Sequence, residues 1–113
     1  MQEKKWGICL DCETYNIGLF QKVVQYQEDD ESDEVIIILP ITAQVSKKNI
    51  KELSESPKYI YGEKVFPCNH PSMKGVILEI QWHFKLKCYI YIIEINGKRK
   101  SKRYFDDDLK RIE

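Results

Sequence analysis

Only two histidines and five scattered glycines occur in these 113 residues. Gly7, Gly18, Gly62, Gly75 and Gly97 each stand alone, so there is no glycine-rich loop to cradle a phosphate. His70 falls in a proline-flanked loop and His83 at an alternating strand position. Neither lies in a pattern with Ser, Cys or Asp that would pair a nucleophile with its base. No catalytic residue is assigned, and an enzyme is not expected. Long apolar runs are also missing. The longest, "VIIILPI" from Val35 to Ile41, is far short of the ~20 residues that span a bilayer, so no membrane partner is expected. The start, "MQEKKWGICLDCE", has no apolar core of a secretory signal, so a cytoplasmic location is expected. In that reducing compartment Cys9, Cys12, Cys68 and Cys88 are expected as thiols, although an even count is also compatible with two bridges.

Net charge is absent too, but only in sum: 18 basic and 18 acidic residues cancel. Residues 1–57 hold six lysines, no arginine and eleven acids, a net of −5. Residues 58–113 hold nine lysines, three arginines and seven acids, a net of +5. Such asymmetry suits either two partners of opposite charge or two halves that attract each other.

The pattern that is present has period two. "FQKVVQYQ" sets Phe20, Val24 and Tyr26 on one face, and "EVIIILP" is apolar on both, as an interior strand would be. "EDDESD" between them makes the pair a hairpin with an acidic connection. "WGICLD" reads as an earlier strand, and "TAQVSKKNIKEL" as a short strand running into a helical turn. "SESP", Ser54 to Pro57, is the best break, because proline biases the residue before it away from helix. Two units follow: an N-terminal β-unit over 1–56 and a C-terminal one over 57–113.

In the second half "GEKVF" opens a strand, and "GVILEIQWHF" alternates, with Val76, Leu78, Ile80, Trp82 and Phe84 on the face expected to be buried. "CYIYIIEI" follows, then Asn96-Gly97, a strong signal for a two-residue hairpin turn. "KRKSKRYF" is the returning strand and "DDDL" a closing turn, since Asp favours helix starts. A faint echo links "SKKNIKEL" with "SKRYFDDDL", each ending a run of strands, and suggests two small barrels. The expected class is all-β with short helical turns.

The series "YIYGEKVF…MKGVILEIQW…CYIYIIEING…SKRYFDDDL" resembles the SH3-like barrel of Tudor-like and KOW-like modules. The resemblance spans about residues 58–110 and, more loosely, 16–53. It implies a binder rather than an enzyme, with proteins, peptides or nucleic acids as partners.

Three constellations are candidates for a site. The acidic connection Glu28, Asp29, Asp30, Glu31, Asp33 and Glu34 could cover a basic cleft on a protein partner. This suits a cytoplasmic inhibitor or immunity-type protein. With an unbulged Asn96-Gly97 hairpin, Tyr89, Tyr91 and Tyr104 share a face with Lys98, Lys100 and Lys102. Rings stack on bases and lysines neutralise phosphates, so that face suits a nucleic acid or nucleotide, and equally an acidic protein. The alternative packs the tyrosines under the other half with the lysines as a rim. The third set is Cys9 and Cys12 with Cys68 and His70, which have the residue types of a Cys₃His zinc site. A strand over residues 6–12 would point Cys9 and Cys12 to opposite faces, so no metal or other cofactor is assigned. Asp106, Asp107 and Asp108 could contact Mg²⁺, but the turn is the preferred reading.

Overall fold

A computed structural model describes residues 3–10, 18–19, 21–29 and 31–112. The protein is all-β, with two five-stranded antiparallel sheets. It divides into two compact units, Met1–Ser56 and Pro57–Glu113. The first contains β1 (Lys4–Cys9), β2 (Val23–Glu28), β3 (Glu34–Leu39), β4 (Ala43–Ser46), a 3₁₀ turn (Lys47–Asn49) and β5 (Ile50–Leu53). The second contains β6 (Lys64–Pro67), β7 (Gly75–His83), β8 (Cys88–Ile95), β9 (Lys98–Arg99), a 3₁₀ turn (Asp106–Asp108) and β10 (Leu109–Arg111).

Sheet order in the first unit is β4-β3-β2-β1-β5, and in the second β9-β8-β7-β6-β10. Counted within each unit, both read fourth, third, second, first, fifth, with a 3₁₀ turn between fourth and fifth. The faint echo in sequence is thus a repeat of topology. Its last strand is what the sequence reading missed. "NIKEL" and "DDDL" looked like terminal turns, but β5 and β10 return to pair with the first strand of their own unit. Each is only three or four residues long, and its pairing partner lies about 45 residues away in sequence, so no local period marks it.

One face of each central strand builds the core. In the first unit Cys9, Leu19, Val24, Tyr26, Val35, Ile37 and Val45 form a buried cluster, with Ala43 and Ile50 against it. Each fully buried aliphatic side chain contributes about 1.5–3 kcal/mol. Phe20 lies outside the described residues. β3 is apolar on both faces, yet only Val35 and Ile37 are buried, and Ile36 is exposed. β1 can lie between β2 and β5 because Gly7 has no side chain. A Cβ there would stand 2.7 Å from Ile50 Cγ2, 2.8 Å from the Lys51 carbonyl and 2.9 Å from Tyr26 Cε1.

In the second unit the expected alternation of β7 is broken. Its register against β8 shifts between Ile77 and Glu79, leaving Leu78 as the extra residue of a bulge. Ile77 and Ile80 are therefore the buried residues, Leu78 and Trp82 are half-buried, and Phe84 is exposed in the following turn. The β8–β9 turn forms at Asn96-Gly97, with φ of 54° and 78°. The first pairs, Ile95 with Lys98 and Glu94 with Arg99, follow the two-residue loop. Tyr91 then pairs with Tyr104, not with Lys102. Two extra residues in the returning chain preserve which side chains share a face while moving their partners.

Candidate functional site

Tyrosine can be buried only where its hydroxyl finds a partner, and the second unit supplies one for Tyr91. The Lys58 N–H donates to the Tyr91 hydroxyl at 2.9 Å. The hydroxyl also faces the Asp106 carboxylate, at the start of the 3₁₀ turn. Burial pushes the Tyr91 phenol well above its ordinary range, with the Asp106 contact and charge adding to the rise. The Tyr59 ring meets Tyr91 edge-on at 5.4 Å, and the Tyr59 hydroxyl donates to the Leu109 carbonyl at 2.7 Å. Trp82 meets Tyr89 in the same manner at 4.9 Å.

These contacts correct the basic-aromatic face. Tyr89, Tyr91 and Tyr104 are 4 %, 0 % and 5 % exposed, so they are core residues and offer no stacking platform. Ile90 and Ile92 on the other face of β8 are buried as well, and Phe105 is exposed. Both faces of β8 are therefore buried. The basic residues do remain outside. Lys98 and Lys102 are exposed and Lys100 is half-buried, and among the described residues no carboxylate pairs with any of them. Lys102 lies over the Tyr104 ring at 5.2 Å. Arg99 pairs with Glu79 on β7 and not with Glu94 directly opposite it.

The acidic connection also divides. Glu28 is half-buried and pairs with Lys5 at 3.5 Å and Lys47 at 3.4 Å. Lys5 reaches Glu52 on its other side at 3.5 Å, tying β2 and β5 across β1. Glu34 accepts a hydrogen bond from the Gln44 amide at 3.2 Å. These two carboxylates serve the sheet. Asp29, Glu31 and Asp33 are exposed. The turn holding them is built locally: Asp29 Oδ1 accepts the Glu31 N–H at 3.0 Å, and Ser32 Oγ accepts the Glu34 N–H at 2.9 Å. Asp30 lies outside the described residues.

The cysteine set is not assembled among the described residues. Cys9 is sealed in the first unit's apolar cluster, and burial pushes its thiol up to about 11. A zinc ligand must be a thiolate, which that environment disfavours. Cys12 lies outside the described residues. Cys68 is half-buried with its thiol 3.5 Å from the Asp107 carbonyl, and His70 is exposed in the loop after β6. The described residues hold no group of three or more His, Cys, Asp or Glu placed to share a metal ion. The triple Asp forms the expected turn, with Asp108 Oδ2 accepting the Phe105 N–H at 2.9 Å. Cys88 also has its thiol raised, by burial first and then by the Asp106 charge.

Sequence reasoning passed over two surface features. The turn between β7 and β8 carries exposed Phe84, Lys85, Leu86 and Lys87. The sequence alternation extends the strand through Phe84, but β7 ends at His83 and Phe84 lies in the turn. At the opposite end of β7 an open groove of about 500 Å³ is lined by Lys64, Lys74, Val76, Glu94, Asn96 and Ile112. Its residues come from four separate segments, so no motif marks it.

No helix of the described residues is long and apolar enough to cross a membrane. No curated protein and no solved structure matches the chain. A family model matches residues 19–110, which reach from before β2 into β10, and the chain belongs to that family, described as a family of unknown function (DUF6960).

Proposed function

We propose that the chain is a non-enzymatic binding protein made of two SH3-like modules in tandem. The observation that carries this reading is the repeated strand order, fourth-third-second-first-fifth with a 3₁₀ turn before the fifth, which supports the SH3-like resemblance of the sequence. Such modules offer their connecting loops to partners and hold the framework rigid. The raised thiols of Cys9 and Cys88 and the structural use of His83 support a role without covalent or acid–base chemistry.

The partner in this reading is a protein with a basic surface, met by Asp29, Glu31 and Asp33. Their carboxylates are exposed and held in a locally braced turn, which favours fast, charge-steered association. A cytoplasmic inhibitor or immunity-type role is the narrower form of the proposal. The test is capture by the purified chain, identification of the partner, and reconstitution from pure components. Asp29→Lys, Glu31→Lys and Asp33→Lys together should weaken the reconstituted complex at least tenfold and flatten its salt dependence. Unchanged affinity would remove the acidic turn from the interface.

A second reading has one observation in its favour: among the described residues Lys98, Lys100 and Lys102 reach solvent without carboxylate partners. With the tyrosines buried, this surface suits phosphate contact alone, blind to base identity. Binding to a single-stranded oligonucleotide should then fall with salt with a log–log slope of about −2 for three contacts. Lys100→Glu with Lys102→Glu should abolish it, and retention of binding by that variant rules the reading out.

A further inference from the structure

We propose that the β7–β8 turn is a docking tip for an anionic lipid surface. Four side chains make it. Phe84 and Leu86 are 47 % and 59 % exposed, and Lys85 and Lys87 alternate with them. Residues 80–93 contain no Asp or Glu, and Glu79, the acid of β7, pairs with Arg99.

The tip is braced by its own hydrogen bonds. β7 and β8 continue as Gln81–Ile90, Trp82–Tyr89 and His83–Cys88 pairs after Tyr91 has met Tyr104. Among the described residues no third strand pairs with these positions. The turn is closed twice by His83: its carbonyl accepts the Lys87 N–H at 2.7 Å, and its Nδ1 accepts the Leu86 N–H at 3.0 Å. Half-buried Trp82, braced edge-on by Tyr89, stands at the base. An aromatic with one apolar and one wet side suits the level of lipid headgroups.

Lys87 sharpens the assignment. Its φ is 53°, in the left-handed region that glycine and asparagine occupy at lower cost. A cation stands where the backbone favours glycine or asparagine. Strain of this kind at an exposed turn points to a use for the side chain.

The chemistry of the four residues selects the partner. Leu86 is the most exposed apolar residue of the tip and has no ring to stack on a base, so a nucleic acid would leave it in water. An anionic bilayer offers negative charge at the surface and apolar depth just beneath it. Lys85 and Lys87 would meet the first while Phe84 and Leu86 enter the second. This is contact with a membrane surface, distinct from spanning it. With two apolar side chains it is weak and reversible, and it is independent of the acidic turn proposed for a protein partner.

The test is co-sedimentation of the full chain with phosphatidylcholine vesicles and with mixed phosphatidylcholine–phosphatidylserine vesicles at low salt. Binding is expected with the mixed vesicles only. Phe84→Ala with Leu86→Ala should lower partitioning by about tenfold or more. Lys85→Glu with Lys87→Glu should abolish it, and Lys110→Glu on β10 should leave it unchanged. Fluorescence of a Phe84→Trp variant should be quenched by brominated lipid, which reads insertion without removing the apolar tip. Sedimentation with neither vesicle overturns the proposal. So does binding that Lys110→Glu weakens and the apolar double variant does not, since that is diffuse charge attraction. Phe84-dependent binding to single-stranded DNA, or to the captured protein partner, in place of vesicles also overturns it and reassigns the tip.

Discussion

Replacing Tyr91 with phenylalanine removes one oxygen and keeps the ring in the core of the second unit. That oxygen accepts from the Lys58 N–H at 2.9 Å and faces the Asp106 carboxylate. It ties the segment before β6 and the 3₁₀ turn before β10 to the middle of β8. A neutral hydrogen bond contributes about 1 kcal/mol net, and one to a charged group about 1.5–3 kcal/mol. Lys58 is exposed, so water recovers part of the first loss, and the second is taken at the low end of its range. The expected cost is therefore about 2 kcal/mol, below the 3–5 kcal/mol of deleting a whole buried ring. For a unit of this size that lowers the thermal midpoint by about 10 °C. A Trp6→Phe background leaves Trp82 as the sole tryptophan, so its fluorescence in a urea titration follows the second unit. Asp106→Asn completes a double-mutant cycle with an expected coupling of about 1 kcal/mol. A loss below about 0.5 kcal/mol, or no coupling, would refute the claim that this hydroxyl ties the segments together.

Other consequences are open to direct measurement. Burial pushes the Tyr26 phenol up to about 12, with Glu52 and Glu28 adding to the rise, and Tyr91 rises as well. A phenol whose folded value lies above its unfolded one stabilises the fold fully below pH ~10 and loses that contribution as pH climbs toward the folded value. Stability should therefore fall between about pH 10 and 12, with part of the tyrosinate absorbance appearing only with unfolding; stability that is flat across that window contradicts this. Gly7→Ala forces a methyl group onto Ile50, the Lys51 carbonyl and Tyr26, and should destabilise the first unit by about 1–3 kcal/mol in urea melts. The thiol of Cys9, buried and raised to about 11, should resist alkylation by iodoacetamide until denaturant is added, as peptide mapping would show. Glu28→Gln removes two partly exposed ion pairs and should cost less than about 1 kcal/mol, in a salt-dependent manner.

What the sequence alone determined is local. Period-two alternation, turn residues and proline place β1, β2, β3, β6, β7 and β8 and the two 3₁₀ turns close to where they lie, and Asn96-Gly97 makes the turn its dihedrals favour. These features depend on residues a few positions apart, so the chain states them directly. Sidedness is different. One bulged residue at Leu78 changes which side chains of β7 are buried, and nothing in "GVILEIQWHF" announces it. The fate of the tyrosines depended on Lys58 and Asp106, more than thirty residues upstream and fifteen downstream of Tyr91, whose contacts let its hydroxyl enter the core. β5 and β10 are too short to carry a period and exist because β1 and β6 offer free edges. The acidic turn was legible as a run of charge, but only folding divided Glu28, half-buried between two lysines, from Asp29, Glu31, Asp33 and Glu34, which reach solvent. Composition and period fix what each segment can be, and long-range pairing decides which of its faces meets water.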